Sequence, residues 1–114
     1  MSGPDAIDLL ALAAAVPQGP FNQVFMADGG HRARLTLTTS VGPWHRHPNT
    51  PETFLVLQGE LVLEFRNERP VRLSPGMALS VPAGVSHRSA PGTPQGRAVS
   101  VSLEAQDQQV ILEE

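Results

Sequence analysis

The stretch Trp44-His45-Arg46-His47-Pro48-Asn49-Thr50-Pro51-Glu52-Thr53-Phe54-Leu55-Val56-Leu57-Gln58-Gly59 decides the fold. In extended backbone, residues two apart point to one face, so the imidazoles of His45 and His47 reach a common point. Pro48–Pro51 reads as a loop, and Glu52 opens the next strand, where hairpin geometry returns its carboxylate beside the two rings. Two neutral imidazoles and one carboxylate on adjacent strands are a facial donor set for a divalent transition metal. The run Phe54–Leu57 is apolar on both parities. Such a strand is buried on both faces, one of them against a second sheet or another subunit.

Outward from this segment, short apolar runs alternate with turn residues. Upstream, Phe21–Ala27 and His31–Thr39 are strands joined by Asp28-Gly29-Gly30, a tight-hairpin signal. In the second of these, Ala33, Leu35 and Leu37 alternate with Arg34, Thr36 and Thr38, and either row can face inward. Trp44–His47 is a short strand. Downstream, Glu52–Leu57 and Glu60–Phe65 meet at Gln58-Gly59, and Pro70–Leu73, Met77–Val81, Val85–Ser89 and Arg97–Leu103 follow, with Gln108–Leu112 as a final short strand. About nine strands with turn signals every 8–12 residues indicate an all-β sandwich or barrel. Before them, Asp5–Val16 reads as a short helix capped by Ser2 or Asp5, with Ile7, Leu10, Ala11 and Ala14 at helical spacing. The chain thus divides into a helix and linker over residues 1–20 and a β-barrel domain over 21–114.

The whole chain has 114 residues, enough for one core and one domain. A net charge of −3 gives no electrostatic footprint for nucleic acid or an anionic membrane. All eight basic residues are Arg, which excludes Schiff-base and P-loop lysines. The absence of Cys excludes disulfides, thiolate metal sites and cysteine nucleophiles. The opening residues carry Asp5 and Asp8 and no basic residue, the wrong sign for a signal peptide, so the expected location is cytoplasmic. No stretch approaches the length of a membrane span.

A second motif lies at Gly76-Met77-Ala78-Leu79-Ser80-Val81-Pro82-Ala83-Gly84-Val85-Ser86-His87. With it, the chain resembles a small single-domain cupin. That family's first motif is His-x-His, a short gap, Glu, six residues and Gly, matched by His45, His47, Glu52 and Gly59. Its second is Gly, five residues, Pro-x-Gly, two residues and His, matched by Gly76, Pro82, Gly84 and His87. Two positions depart from the pattern: Gly42 lies only three residues before His45, and Pro91 stands where the family often has Asn. Neither is a ligand position in the family. The resemblance implies a cupin jelly roll, or double-stranded β-helix barrel, with one divalent transition metal per chain held by His45, His47, Glu52 and His87. Iron, manganese, nickel, cobalt, copper and zinc all suit such nitrogen and oxygen donors. It also implies a homodimer paired through sheet faces.

Two functions fit these residues. One is a metal-dependent enzyme acting on a small organic molecule by dioxygenase-like, isomerase or lyase chemistry, with Glu52 as a base if it leaves the metal. The other is a non-catalytic metallo-cupin that binds or senses a small ligand. Arg34, Thr36 and Phe54 are the candidate pocket residues, Arg34 for a substrate carboxylate. Arg46 and Arg88 each adjoin a ligand, so strand alternation turns them away from the metal. His31 has no partner at metal spacing and reads as a solvated loop residue.

Overall fold

The computed structural model describes residues 4–94 and 96–114. Among these residues, ten strands follow one helix. They are β1 (Phe21–Asp28), β2 (His31–Thr38), β3 (His45–Arg46), β4 (Glu52–Gln58), β5 (Leu61–Phe65), β6 (Val71–Leu73), β7 (Ala78–Val81), β8 (His87–Pro91), β9 (Ala98–Ala105) and β10 (Ile111–Leu112). They form two antiparallel five-stranded sheets, ordered β1-β2-β9-β4-β7 and β10-β3-β8-β5-β6. This is the all-β sandwich that the turn spacing indicates, in the double-stranded β-helix form that the resemblance of the two motifs implies. The β1–β2 turn is made by Gly29 and Gly30, both at positive φ, as a two-residue hairpin loop of matching twist requires. Most expected strands shift by a residue or two, and Gln108–Leu112 shrinks to β10, which starts three residues later. Trp44–His47 shrinks to β3, because the His47 carbonyl leaves the ladder and accepts the Gly84 N–H at 2.8 Å.

The helix differs more. α1 spans only Leu9–Ala14, and Asp8, not Asp5, caps it by accepting the Ala11 N–H at 3.0 Å. Ser2 lies outside the described residues. The buried face is also not the expected one: Ile7 and Leu10 are exposed, while Leu9, Leu12, Ala13 and Val16 pack on the first sheet. Both rows have helical spacing, and so short a helix is set by what it packs against. Arg97 closes its far end, donating to the carbonyls of Val16 at 2.5 Å and Ala13 at 3.0 Å.

The alternation of β2 resolves against intuition. Leu35 and Leu37 face outward, beneath α1 with Val99. Arg34 and Thr36 face into the barrel. Inside, one end is dry, built from Val56, Leu61, Leu63, Leu73, Val81 and Ala98. Along each inward row the side chains then turn polar, from Val56 through Phe54 to Glu52 on β4, and from Ala98 through Ser100 and Ser102 to Glu104 on β9. Phe54–Leu57 is therefore covered only in part on its outer side, where Leu55 is exposed. No helix among the described residues is long and apolar enough to cross a membrane.

Candidate metal centre

Four elements bring the donors together at the polar end of the barrel. His45 lies on β3 directly opposite His87 on β8. His47 follows β3, and Glu52 opens β4. One ligand atom from each of the four lies within 4.8 Å of every other. Glu52 Oε1 is 3.3 Å from His47 Nε2 and 3.6 Å from His87 Nε2. Donors about 2.1 Å from a shared ion lie roughly 3 Å apart when they are neighbours around it, so these separations suit one ion.

The backbone fixes which nitrogen each ring presents. His45 Nδ1 lies 2.9 Å from the Pro43 carbonyl, His47 Nδ1 2.9 Å from that of Gln109, and His87 Nδ1 2.9 Å from that of Val85. A carbonyl only accepts, so each Nδ1 is the protonated donor and each Nε2 keeps its lone pair. The Nε2 atoms of His47 and His87 are buried with no hydrogen-bond partner: Glu52 Oε1 lies near both, at 3.3 and 3.6 Å, without a hydrogen bond to either. Inward lone pairs facing a buried carboxylate repel unless a cation lies between them. A divalent metal satisfies all four groups at once, and the outer carbonyls are the supports that metal-bound imidazoles use.

Without a metal, protons take up part of this role. Burial pushes the Glu52 carboxyl up, but the imidazoles of His47 and His87 outweigh it and hold it at about 2. Burial lowers His47, yet the Glu52 carboxylate and the Gln109 carbonyl raise it above the usual histidine value. His45 goes the other way, lowered by burial despite the Pro43 carbonyl, with the other two rings adding to the drop. A carboxylate held this low in the metal-free protein stays ionised near neutral pH.

The donors line one wall of a cavity of about 560 Å³. Arg34, Thr36 and Phe54 line it too. Arg46 and Arg88 do not: Arg46 pairs with Glu113 at 2.7 Å, and Arg88 pairs with Glu64. Arg66 and Arg88 both lie against the Trp44 ring, at 4.3 and 4.7 Å from its centroid, outside the site. His31 is exposed at the start of β2, its Nδ1 3.2 Å from the Gly29 carbonyl. Seven further lining residues escaped the sequence reading, among them Asn22, Arg32, Ser102, Glu104 and Gln108. For Arg32, Ser102 and Glu104 the signal was present as two polar alternations, Arg32-x-Arg34-x-Thr36 and Ser100-x-Ser102-x-Glu104, whereas Asn22 and Gln108 had none. Nothing in the sequence shows that β2 and β9 pair in the register that sets Arg32 opposite Glu104 and Arg34 opposite Ser102.

Residues 33–102 match the Cupin_2 family model, described as cupin domain, and the chain belongs to that family. It is 33% identical over 108 residues to the uncharacterized protein YdbB of Bacillus subtilis (strain 168), covering 94% of this chain and 93% of that one. A conserved protein with a double-stranded β-helix domain from Klebsiella pneumoniae superposes with a TM-score of 0.79 at 17% identity, covering 98% of this chain and 99% of that chain. The DMSP lyase DddQ from Ruegeria pomeroyi DSS-3 superposes with a TM-score of 0.69 at 20% identity, over 82% of this chain and 51% of that one. At these identities the two structures speak for the fold alone.

Proposed function

We propose that this cupin is a metal-dependent enzyme acting on a small organic molecule, with His45, His47, Glu52 and His87 holding one divalent transition metal. The observation that carries the reading is the pair of buried, unpartnered Nε2 atoms at the wall of an open, polar-lined cavity. A purely structural ion is enclosed by its ligands, whereas a catalytic ion keeps a position free toward substrate. When bound, such an ion supplies Lewis acidity and a place for water, substrate or O₂, which covers dioxygenase-like, isomerase and lyase chemistry. The chain's own residues do the rest. The Pro43, Gln109 and Val85 carbonyls lock the imidazoles, Phe54 walls the cavity beside His87 with ring centroids 6.2 Å apart, and Arg34 and Thr36 present polar groups to the bound molecule.

The test is elemental analysis of protein purified without chelator beside His47→Ala, followed by water-proton relaxation of the manganese-loaded protein. Near-stoichiometric metal lost in the variant, with fast-exchanging water on the ion, is the expected result. Metal at background in both proteins refutes the metalloenzyme reading. Bound metal with no exchangeable water favours the non-catalytic metallo-cupin.

We also propose a homodimer through the outer face of the first sheet. Met26, Leu55 and Leu103 are exposed there, on strands whose neighbouring outward residues Ala33 and Val101 are buried. Light scattering of Leu103→Glu beside the wild type tests it: a wild-type dimer turned monomer is expected, and a wild-type monomer overturns it.

A further inference from the structure

Across the cavity from the imidazoles lies a charged group that the metal chemistry leaves unexplained. Glu104 is almost fully buried, its side chain 2% exposed, and two guanidinium groups converge on its Oε1. Arg34 Nε donates to it at 3.0 Å. Arg32 Nε lies 3.2 Å away but out of line, and stays buried without a hydrogen bond. Arg34 Nη1 donates to Asn22 Oδ1 at 2.5 Å. One Nη1 hydrogen and both Nη2 hydrogens of Arg34 then have no acceptor among the described residues.

Two guanidiniums against one carboxylate leave this wall with one net positive charge, in a protein whose overall charge is −3. A self-contained structural ion pair would balance, and the unbalanced charge is costly where it is partly withdrawn from water, the Arg32 and Arg34 side chains being 25% and 27% exposed. The opposite wall has the same sign, since a divalent ion outweighs the single Glu52 carboxylate. Both walls thus attract an anion, and the planar N–H fork of Arg suits a carboxylate. The cavity, at about 560 Å³, falls in the range of small-molecule sites.

We propose that the ligand is a small organic acid, its carboxylate held by Arg34 and Arg32 while a second oxygen function faces the metal. Hydroxy-, oxo- and dicarboxylic acids have this form. Glu104 and Asn22 act as positioning residues that hold the Arg34 fork toward the cavity. The proposal rests on the metal-enzyme reading for the second oxygen's partner, but the carboxylate contact does not need the metal.

The experiment uses succinate and its uncharged diamide, succinamide, as probes on the full chain, both metal-free and zinc-loaded. Binding is read by calorimetry and by the Nε–H signals of Arg34 and Arg32 in nitrogen-15 spectra. Succinate should bind both forms and move the Arg34 signal, and succinamide should do neither. Arg34→Gln should weaken succinate about tenfold or more, the scale of a lost charge-assisted pair, with zinc content unchanged. Should Arg34→Gln fail to fold, Arg34→Lys keeps a cation for Glu104 but loses the fork, and is expected to weaken succinate severalfold. Equal binding of succinate and succinamide, or succinate affinity indifferent to Arg34, overturns the proposal while stoichiometric zinc leaves the metal reading intact. Arg34-dependent succinate binding to a protein that takes up no metal supports the proposal and refutes the metal reading.

Discussion

Glu52→Gln in metal-free protein isolates the electrostatics of the ligand cluster from the metal itself. The folded carboxyl titrates at about 2 against an ordinary value of 4.5. A depressed carboxyl contributes stability above its unfolded value and loses it as pH falls through the folded one. At about 1.4 kcal/mol per pH unit, the contribution is about 3 kcal/mol near pH 5.5 and roughly 1 kcal/mol near pH 3. His47 has the opposite sign. Its raised value contributes stability below its unfolded value of 6.5 that is lost as pH rises through the folded one. The pair therefore stabilises the metal-free protein most between about pH 4.5 and 6.5. Urea unfolding of chelator-treated wild type and Glu52→Gln checks this across the acid range. The stability gap between them should close by about 2 kcal/mol between pH 5.5 and pH 3. Using the difference cancels the other carboxylates. A gap that stays constant across this range refutes the claim that His47 and His87 hold Glu52 ionised.

Metal binding must displace the proton that His47 holds in the metal-free state, so calorimetry near pH 6.5 in buffers of different ionisation enthalpy should show proton release that fades as pH rises. Asn49→Ala removes two bonds to the C-terminal segment, Nδ2 to the Asp107 carbonyl and Oδ1 to the Gln109 N–H, both 2.9 Å. With Gln109 untethered, zinc affinity in a chelator competition should fall about tenfold, the low end for lost ligand supports. Gly59→Ala should cost at least about 2 kcal/mol in urea unfolding, because positive φ there is strained for Ala and its Cβ would collide with the Arg97 carbonyl. Leu63→Ala, at a fully buried position in the dry end of the barrel, should cost about 2–5 kcal/mol.

His87, 40 positions beyond His47, was legible only through the resemblance of Gly76–His87 to a cupin motif. The other three candidate ligands were legible because their geometry is local: His45 and His47 share a face by strand parity, and Glu52 returns after a short Pro-containing loop. The all-β class was legible for the same reason, since Gly and Pro punctuate the chain. The facing of β2 was not. An alternating strand ordinarily puts its apolar row inward, but this barrel keeps its polar row inside to line a cavity and buries Leu35 and Leu37 under α1. Which face α1 would use was equally hidden, because Leu9-Leu10-Ala11-Leu12-Ala13-Ala14 offers two apolar stripes and only the sheet chooses between them. Arg32 and Glu104 stand 72 positions apart, and their meeting depends on the β2–β9 register, a long-range fact that no local pattern encodes.

The contact between His47 Nδ1 and the Gln109 carbonyl joins residues 62 positions apart. At roughly 5–20 residues per second, a ribosome needs about 3–12 s to reach Gln109 after it has made His47. Through that interval the nascent chain carries the first motif, but its second imidazole has no acceptor to set tautomer or direction. Any metal selectivity that the proposed centre has must therefore arise late in synthesis, once Gln109 has been added. Ions that meet the chain earlier would encounter a looser set of donors.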